Sequence, residues 1–159
     1  MKEIKRIASF TVDHDLLTEG IYVSRIDGDI TTYDLRTRIP NGGDYMDDLT
    51  LHSVEHMVAT YIRSSEIGDR VIYFGPMGCR TGFYLLVRDA ENGEVLAALI
   101  DCLRRVISHT GEMFGNTPQE CGNYRELSLA AAKTECARYL AALLSREQDF
   151  TYKTKEERA

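Results

Sequence analysis

Arg70-Val-Ile-Tyr-Phe-Gly-Pro-Met-Gly-Cys-Arg-Thr-Gly-Phe-Tyr-Leu-Leu-Val-Arg88 is the stretch on which the fold turns. It holds two nearly continuous apolar runs, Arg70–Phe74 and Thr81–Arg88, separated by Gly75-Pro-Met-Gly-Cys79. Short apolar runs rich in β-branched and aromatic residues and bounded by Gly and Pro read as strands. Their continuity predicts that both are central and well buried. A link this short joins them as an antiparallel pair, because a parallel pair needs a long crossover. The link also carries Cys79. Cysteine ordinarily prefers burial, so a cysteine on a Gly/Pro turn is placed where a ligand can reach it.

A second hairpin lies upstream. Gly20–Ile26 and Ile30–Arg38 are β-rich, and Asp27-Gly28-Asp29 supplies the tight turn between them. Pro40-Asn-Gly-Gly43 ends the second strand. Between the hairpins, Leu51, Val54, Val58 and Ile62 form one helical stripe. Asp47-Asp48 opens that helix, since a carboxylate suits the unpaired N–H groups and the dipole there, and the helix is expected to end near Gly68. Downstream, Asn92-Gly-Glu leads into a long helix with Val95, Leu99, Cys102, Leu103, Val106 and Ile107 on its inner face. His109–Pro118 breaks it. Thr117-Pro118 starts a short helical turn that ends in Cys121-Gly122, and a last helix is expected from about Arg125 to Ser145. Ser9–His14 reads as a short extended arm. Paired strands with short links and long helices to one side predict an α+β two-layer sandwich, mainly an antiparallel sheet with the helices on one face. Residues 1–159 are expected to form a single domain, with a polar tail frayed from about residue 150.

Composition narrows the function classes. The 159 residues are 43% hydrophobic, within the globular range. A net charge of −6 argues against nucleic acid as a partner, which needs a basic patch. No run approaches the ~20 apolar residues of a membrane span, and the start lacks an apolar signal core, so a cytoplasmic protein without a membrane partner is expected. The four cysteines, Cys79, Cys102, Cys121 and Cys136, are far apart and read as reduced thiols. Cys102 lies in a core stripe, and Cys136 carries no assigned chemistry.

The helix between the hairpins contains His52-Ser-Val-Glu-His56, an H-x-x-E-H pattern. On a helix of about 3.6 residues per turn, His52 and His56 share one side, so both imidazoles can reach one metal ion. Two histidines leave such an ion short of ligands. Cys121, on its small Gly-flanked turn, is the attractive third ligand, and a His₂Cys set with one open position is a catalytic pattern. Glu55, beside the pair, can then take a proton made acidic by the metal, and Cys79 offers a second titrating group. The residues suggest metal-assisted proton transfer. Two rivals stand beside this reading. An inverted-motif zinc peptidase would use a downstream glutamate, Glu126 or Glu135, as third ligand. A non-catalytic metal-binding domain would need neither Glu55 nor Cys79. His109, near a helix C-terminus, suits a structural imidazolium. Taken alone, His14 reads as a surface or hydrogen-bonded histidine and Arg36 as an edge charge.

Taken together, His52–His56, Gly75-Pro-Met-Gly-Cys79-Arg-Thr-Gly-Phe-Tyr84 and Glu120-Cys121-Gly122 resemble the S-ribosylhomocysteine lyases, the LuxS family. Ser9–His14, Asp34-Leu-Arg36 and Pro40-Asn41 match in the expected order. The resemblance implies cleavage of S-ribosylhomocysteine to homocysteine and 4,5-dihydroxypentane-2,3-dione, the autoinducer-2 precursor, within the activated methyl cycle. It implies carbonyl migration along the sugar followed by β-elimination. It also implies a homodimer with its sites at the subunit interface, and one divalent metal ion per subunit, Fe²⁺ in the cell with Zn²⁺ or Co²⁺ as replacements. By position, His52, His56 and Cys121 match the ligands, Glu55 and Cys79 the acid–base pair, and Ser9, His14 and Arg36 the substrate pocket. The chain departs from the family at Ser53, where Thr is commoner, and at Tyr73 and Gly75, where many members have Asp and Ser.

Overall fold

In the computed structural model, which describes residues 1–158, the two hairpins join edge to edge in one antiparallel sheet. Strands β1 (Gly20–Asp27), β2 (Ile30–Arg36), β3 (Val71–Pro76) and β4 (Gly82–Arg88) lie in the order β1-β2-β4-β3. The β2–β4 register runs from Ile30 opposite Arg88 to Arg36 opposite Gly82. Side chains alternate across a pleated strand. Tyr33 and Leu35 of β2, and Phe83, Leu85 and Val87 of β4, therefore face one way and enter the core. Asp34 pairs with Tyr22 on one side and Tyr84 on the other, so a row of polar-tipped residues crosses the opposite face.

Three helices cover the apolar face: α1 (Asp48–Arg63), α2 (Asn92–Ser108) and α3 (Leu129–Leu144). Met57, Val58 and Ile62 of α1 meet Leu99, Leu103 and Val106 of α2 and Cys136, Tyr139 and Leu143 of α3 in one buried cluster with the sheet. The expected two-layer α+β arrangement is the observed one. Asp47 caps α1, its carboxylate accepting from the Thr50 N–H at 2.8 Å.

Several local expectations are corrected. β3 is an edge strand, and Ile72 and Tyr73 are exposed, so its apolar run does not mark burial. A bulge between Val71 and Tyr73 interrupts its pairing. Helix α1 stops at Arg63, and Gly68–Arg70 forms a separate 3₁₀ turn. Helix α3 starts at Leu129 rather than Arg125, because Ser128 caps it by accepting from the Ala131 N–H. Ser9 and Phe10 sit in a 3₁₀ turn (Ala8–Phe10), not an extended arm. The chain beyond residue 150 is docked rather than frayed as far as Tyr152: the Phe150 carbonyl accepts from the Val23 N–H at 2.8 Å, and the Tyr152 ring stacks on Tyr22. Among the described residues, no helix is long and apolar enough to cross a membrane.

Candidate metal centre and substrate pocket

Helix α1 presents His52 and His56 one turn apart, with ring centres 4.6 Å apart and planes nearly perpendicular. The segment between α2 and α3 folds over them and brings in Cys121, whose Sγ lies 3.4 Å from His52 Nε2. Ligand atoms of all three side chains fall within 4.8 Å of one another, the one such cluster among the described residues. The outer ring nitrogens decide what faces inward. His52 Nδ1 lies 3.0 Å from the Glu126 carbonyl, and His56 Nδ1 lies 2.8 Å from the Phe114 carbonyl. A carbonyl only accepts, so both Nδ1 atoms carry the proton and both Nε2 lone pairs are free to ligate. Such backbone partners fix the tautomer and orientation of metal-binding histidines. The Asn123 N–H points at Cys121 Sγ at 3.4 Å, a donor suited to a thiolate. The donor set therefore fits a divalent ion.

The approach of the covering segment depends on Gly115. Its φ of +69° is a left-handed conformation, and a Cβ there would sit 2.8 Å from His56 Nδ1. Ser53, fully buried, ties the same segment to α1. Its hydroxyl donates to the Leu49 carbonyl and accepts from the Ser128 N–H at 2.8 Å. Sequence reasoning missed Gly115 and noted Ser53 only as a departure from the family pattern. A glycine inside a helix-breaking run was the available signal for Gly115.

Glu126 and Glu135 do not join the cluster. Glu126 serves through its backbone carbonyl, while its carboxylate accepts from Asn123. Glu135 is buried in an ion pair with Arg38, with N···O contacts of 2.7 and 2.9 Å. The peptidase reading thus loses both proposed third ligands. His109 takes a structural role, as expected. Its Nε2 donates to the Glu112 carbonyl at 2.8 Å, and its Nδ1 shares a hydrogen bond with the Tyr61 hydroxyl at 2.7 Å.

A second set of residues gathers on the opposite face of the sheet. Ser9, His14, Arg36, Cys79 and Tyr84 line a pocket of about 330 Å³. His14 Nδ1 donates to the Val12 carbonyl at 2.9 Å. Arg36 is no edge charge: β2 is an inner strand, and the guanidinium is buried in a bidentate pair with Asp34 at 2.7 and 3.0 Å. Burial works against its charge and the Asp34 carboxylate outweighs that, so the net effect raises its pKa. Removing one partner of such a pair costs about 3–5 kcal/mol, because the other charge stays buried. Arg36 Nη1 reaches Thr81 Oγ1 at 2.8 Å and lies 3.9 Å from Cys79 Sγ. The Thr81 hydroxyl, already accepting from Arg36, can donate to Cys79 Sγ, 3.0 Å away. Cys79 is exposed, whereas Cys102 and Cys136 are buried in the core. Burial pushes the Cys102 thiol up to about 12 and raises that of Cys136 as well, which leaves both inert. Tyr73 folds over Gly75 and fills the space that a side chain there would need. The two departures from the family pattern are thus physically coupled. Glu55 is half-buried on α1, and neither it nor the His₂Cys residues line the Cys79 pocket.

Fold and donor set together define an α+β protein carrying a two-histidine, one-cysteine metal-binding cluster. Comparison with known proteins sharpens this. The family described as S-Ribosylhomocysteinase (LuxS) matches residues 7–150. A protein of Phocaeicola vulgatus named S-ribosylhomocysteine lyase is 41% identical, over 96% of this chain and 100% of its own length. One of the same name from Desulfotalea psychrophila is 40% identical, over 94% and 99%, and one from Borreliella afzelii is 39% identical, over the same shares. The chain belongs to the S-ribosylhomocysteinase (LuxS) family.

Proposed function

We propose that this protein is a metal-dependent carbon–sulfur lyase that cleaves S-ribosylhomocysteine to homocysteine and 4,5-dihydroxypentane-2,3-dione. Family membership supports the reaction. The observation that carries it to the residues is the convergence of His52, His56 and Cys121, with both Nδ1–H groups turned outward. These three residues hold the ion. When bound, a divalent ion there supplies Lewis-acid polarisation of a substrate carbonyl. The open-chain sugar is the substrate form with such a carbonyl. The C–H beside a polarised carbonyl is acidic, and Glu55 and Cys79 remove and return protons, moving the carbonyl from C1 to C2 and then to C3. The thioether is then β to the carbonyl, and loss of the proton between them expels homocysteine. Ser9, His14 and Arg36 line the pocket that receives the substrate. The proton transfers need no net redox change, so Fe²⁺, Zn²⁺ and Co²⁺ all suit the site, with Fe²⁺ the ion in the cell.

Glu55 and the ligand cluster contribute nothing to the lining of the Cys79 pocket. That division supports a homodimer in which the pocket of one subunit meets the metal centre of the other. The whole chain acts as one domain, in the cytoplasm. Glu55→Gln tests the division of labour: it is expected to keep stoichiometric metal and to lose turnover by at least about a hundredfold. Cys121→Ala is expected to lose the metal itself. Full activity in the first variant would remove Glu55 from catalysis, and full metal content in the second would remove Cys121 from the ligand set.

A further inference from the structure

Arg36 and Cys79 belong to the pocket, but a chain of groups stands behind them. Arg36 is 3% exposed and Asp34 1%. Arg36 Nη2 donates to Asp34 Oδ2 at 2.7 Å, and the Tyr152 hydroxyl donates to the same oxygen at 2.8 Å. Arg36 Nε holds the other carboxylate oxygen at 3.0 Å. Nη1 is left for Thr81 Oγ1 and the Cys79 sulfur. One line of contacts thus runs from the C-terminal segment through Asp34 and Arg36 to Cys79. Tyr152 is itself anchored twice on β1, by its stack on Tyr22, with ring centres 5.1 Å apart, and by the Phe150 carbonyl two residues earlier.

We infer that Tyr152 is a positioning residue for Cys79: by donating to Asp34 Oδ2 it fixes the carboxylate that orients Arg36, and by drawing on that carboxylate's charge it leaves the cationic edge of Arg36 turned to the sulfur. The inference rests on the reading of Cys79 as an acid–base group. Its physical content, an effect on the thiol, can be read without turnover.

The groups around this line are few. Arg36 from β2, Thr81 and Tyr84 from the β4 side and His14 from the N-terminal segment surround Cys79. Tyr84 from β4 and Tyr139 from α3 also sense the Asp34 charge. Burial raises the phenol pKa values of Tyr84, Tyr139 and Tyr152, so all three stay neutral through the physiological range. Arg36 and Asp34 are then the charges that Tyr152 can rebalance.

The test is the pH profile of Cys79 alkylation in the full-length, metal-loaded protein, read by mass spectrometry of the Cys79 peptide. Tyr152→Phe keeps the stack on Tyr22 and removes only the donor. Its expected effect is an upward shift of the Cys79 profile by about half a unit, which is a roughly threefold slower alkylation on the acid limb of the profile. An unchanged profile in Tyr152→Phe overturns the inference. Tyr152→Leu serves as the second variant, because it loses the stack as well. A shift in Leu without one in Phe would assign Tyr152 to packing alone and would equally overturn it. Thiol release by the wild type tests the lyase reading separately, since the alkylation profile does not depend on it.

Discussion

At the residue scale, the site is built by side chains whose partners are backbone atoms. His52 and His56 were legible from their spacing alone, since the helical period places them on one face. The carbonyls of Glu126 and Phe114 that set their tautomers were not legible, because they come from an irregular segment whose path no periodicity encodes. Cys79 was legible as a displayed thiol, whereas Asp34, Thr81 and Tyr152, which stand behind it, were not. Their contacts span 118 residues in the case of Tyr152 and Asp34. Gly115 gives the sharpest prediction at this scale. Gly115→Ala places a methyl against the His56 ring at a backbone angle that L-residues resist. It is expected to weaken metal retention by about tenfold or more, as changes to groups that orient a ligand do, while leaving the fold cooperative. Competition with a chelator reads the retention, and unchanged retention would show that the covering segment can move away from His56.

At the scale of elements, β2, β4, α1 and α2 were readable because each carries a clear apolar pattern, alternating in β2, continuous in β4 and helical in α1 and α2. β3 was misjudged as buried. A continuous apolar run predicts two covered faces, and in β3 it lies on an edge with Ile72 and Tyr73 outward. The start of α3 was placed too early because Arg125–Leu127 continue a plausible helical composition, while the capping hydroxyl of Ser128 sets the boundary. Helix α1 carries both histidines, so its capping matters to the site. Asp47→Ala is expected to cost about 1 kcal/mol in urea unfolding at neutral pH. The hydrogen bonds from Thr50 hold the Asp47 carboxyl below its ordinary value in the folded protein. The cap's contribution is therefore fully present above the ordinary carboxylate pKa and is lost as pH falls through the lowered folded value. The difference between wild type and variant should close in acid. A constant difference from neutral to strongly acidic pH would contradict this assignment.

At the scale of the whole molecule, the sandwich separates two chemistries. The helix layer holds the metal-binding cluster, and the far face of the sheet holds the Cys79 pocket. The layer architecture was legible from the order of elements. The separation was not, because no local pattern tells which face of a sheet a turn residue serves. A dimer that joins the two sets makes a prediction with mixed subunits. Hybrids of inactive Cys79→Ala and inactive Glu55→Gln chains should regain activity, since one of their two sites would draw both intact groups from different chains. No recovery in verified hybrids would place each site within a single chain.

In the proposed lyase reaction this metal centre works with Cys79 as one of the proton-transfer groups. The most direct measurement is thiol release from S-ribosylhomocysteine by anaerobically purified, metal-loaded protein, with Cys79→Ala alongside. Homocysteine is expected from the wild type and none above background from the variant. A folded, metal-loaded wild type that releases no thiol would contradict the reaction, and a fully active Cys79→Ala would contradict the role given to Cys79.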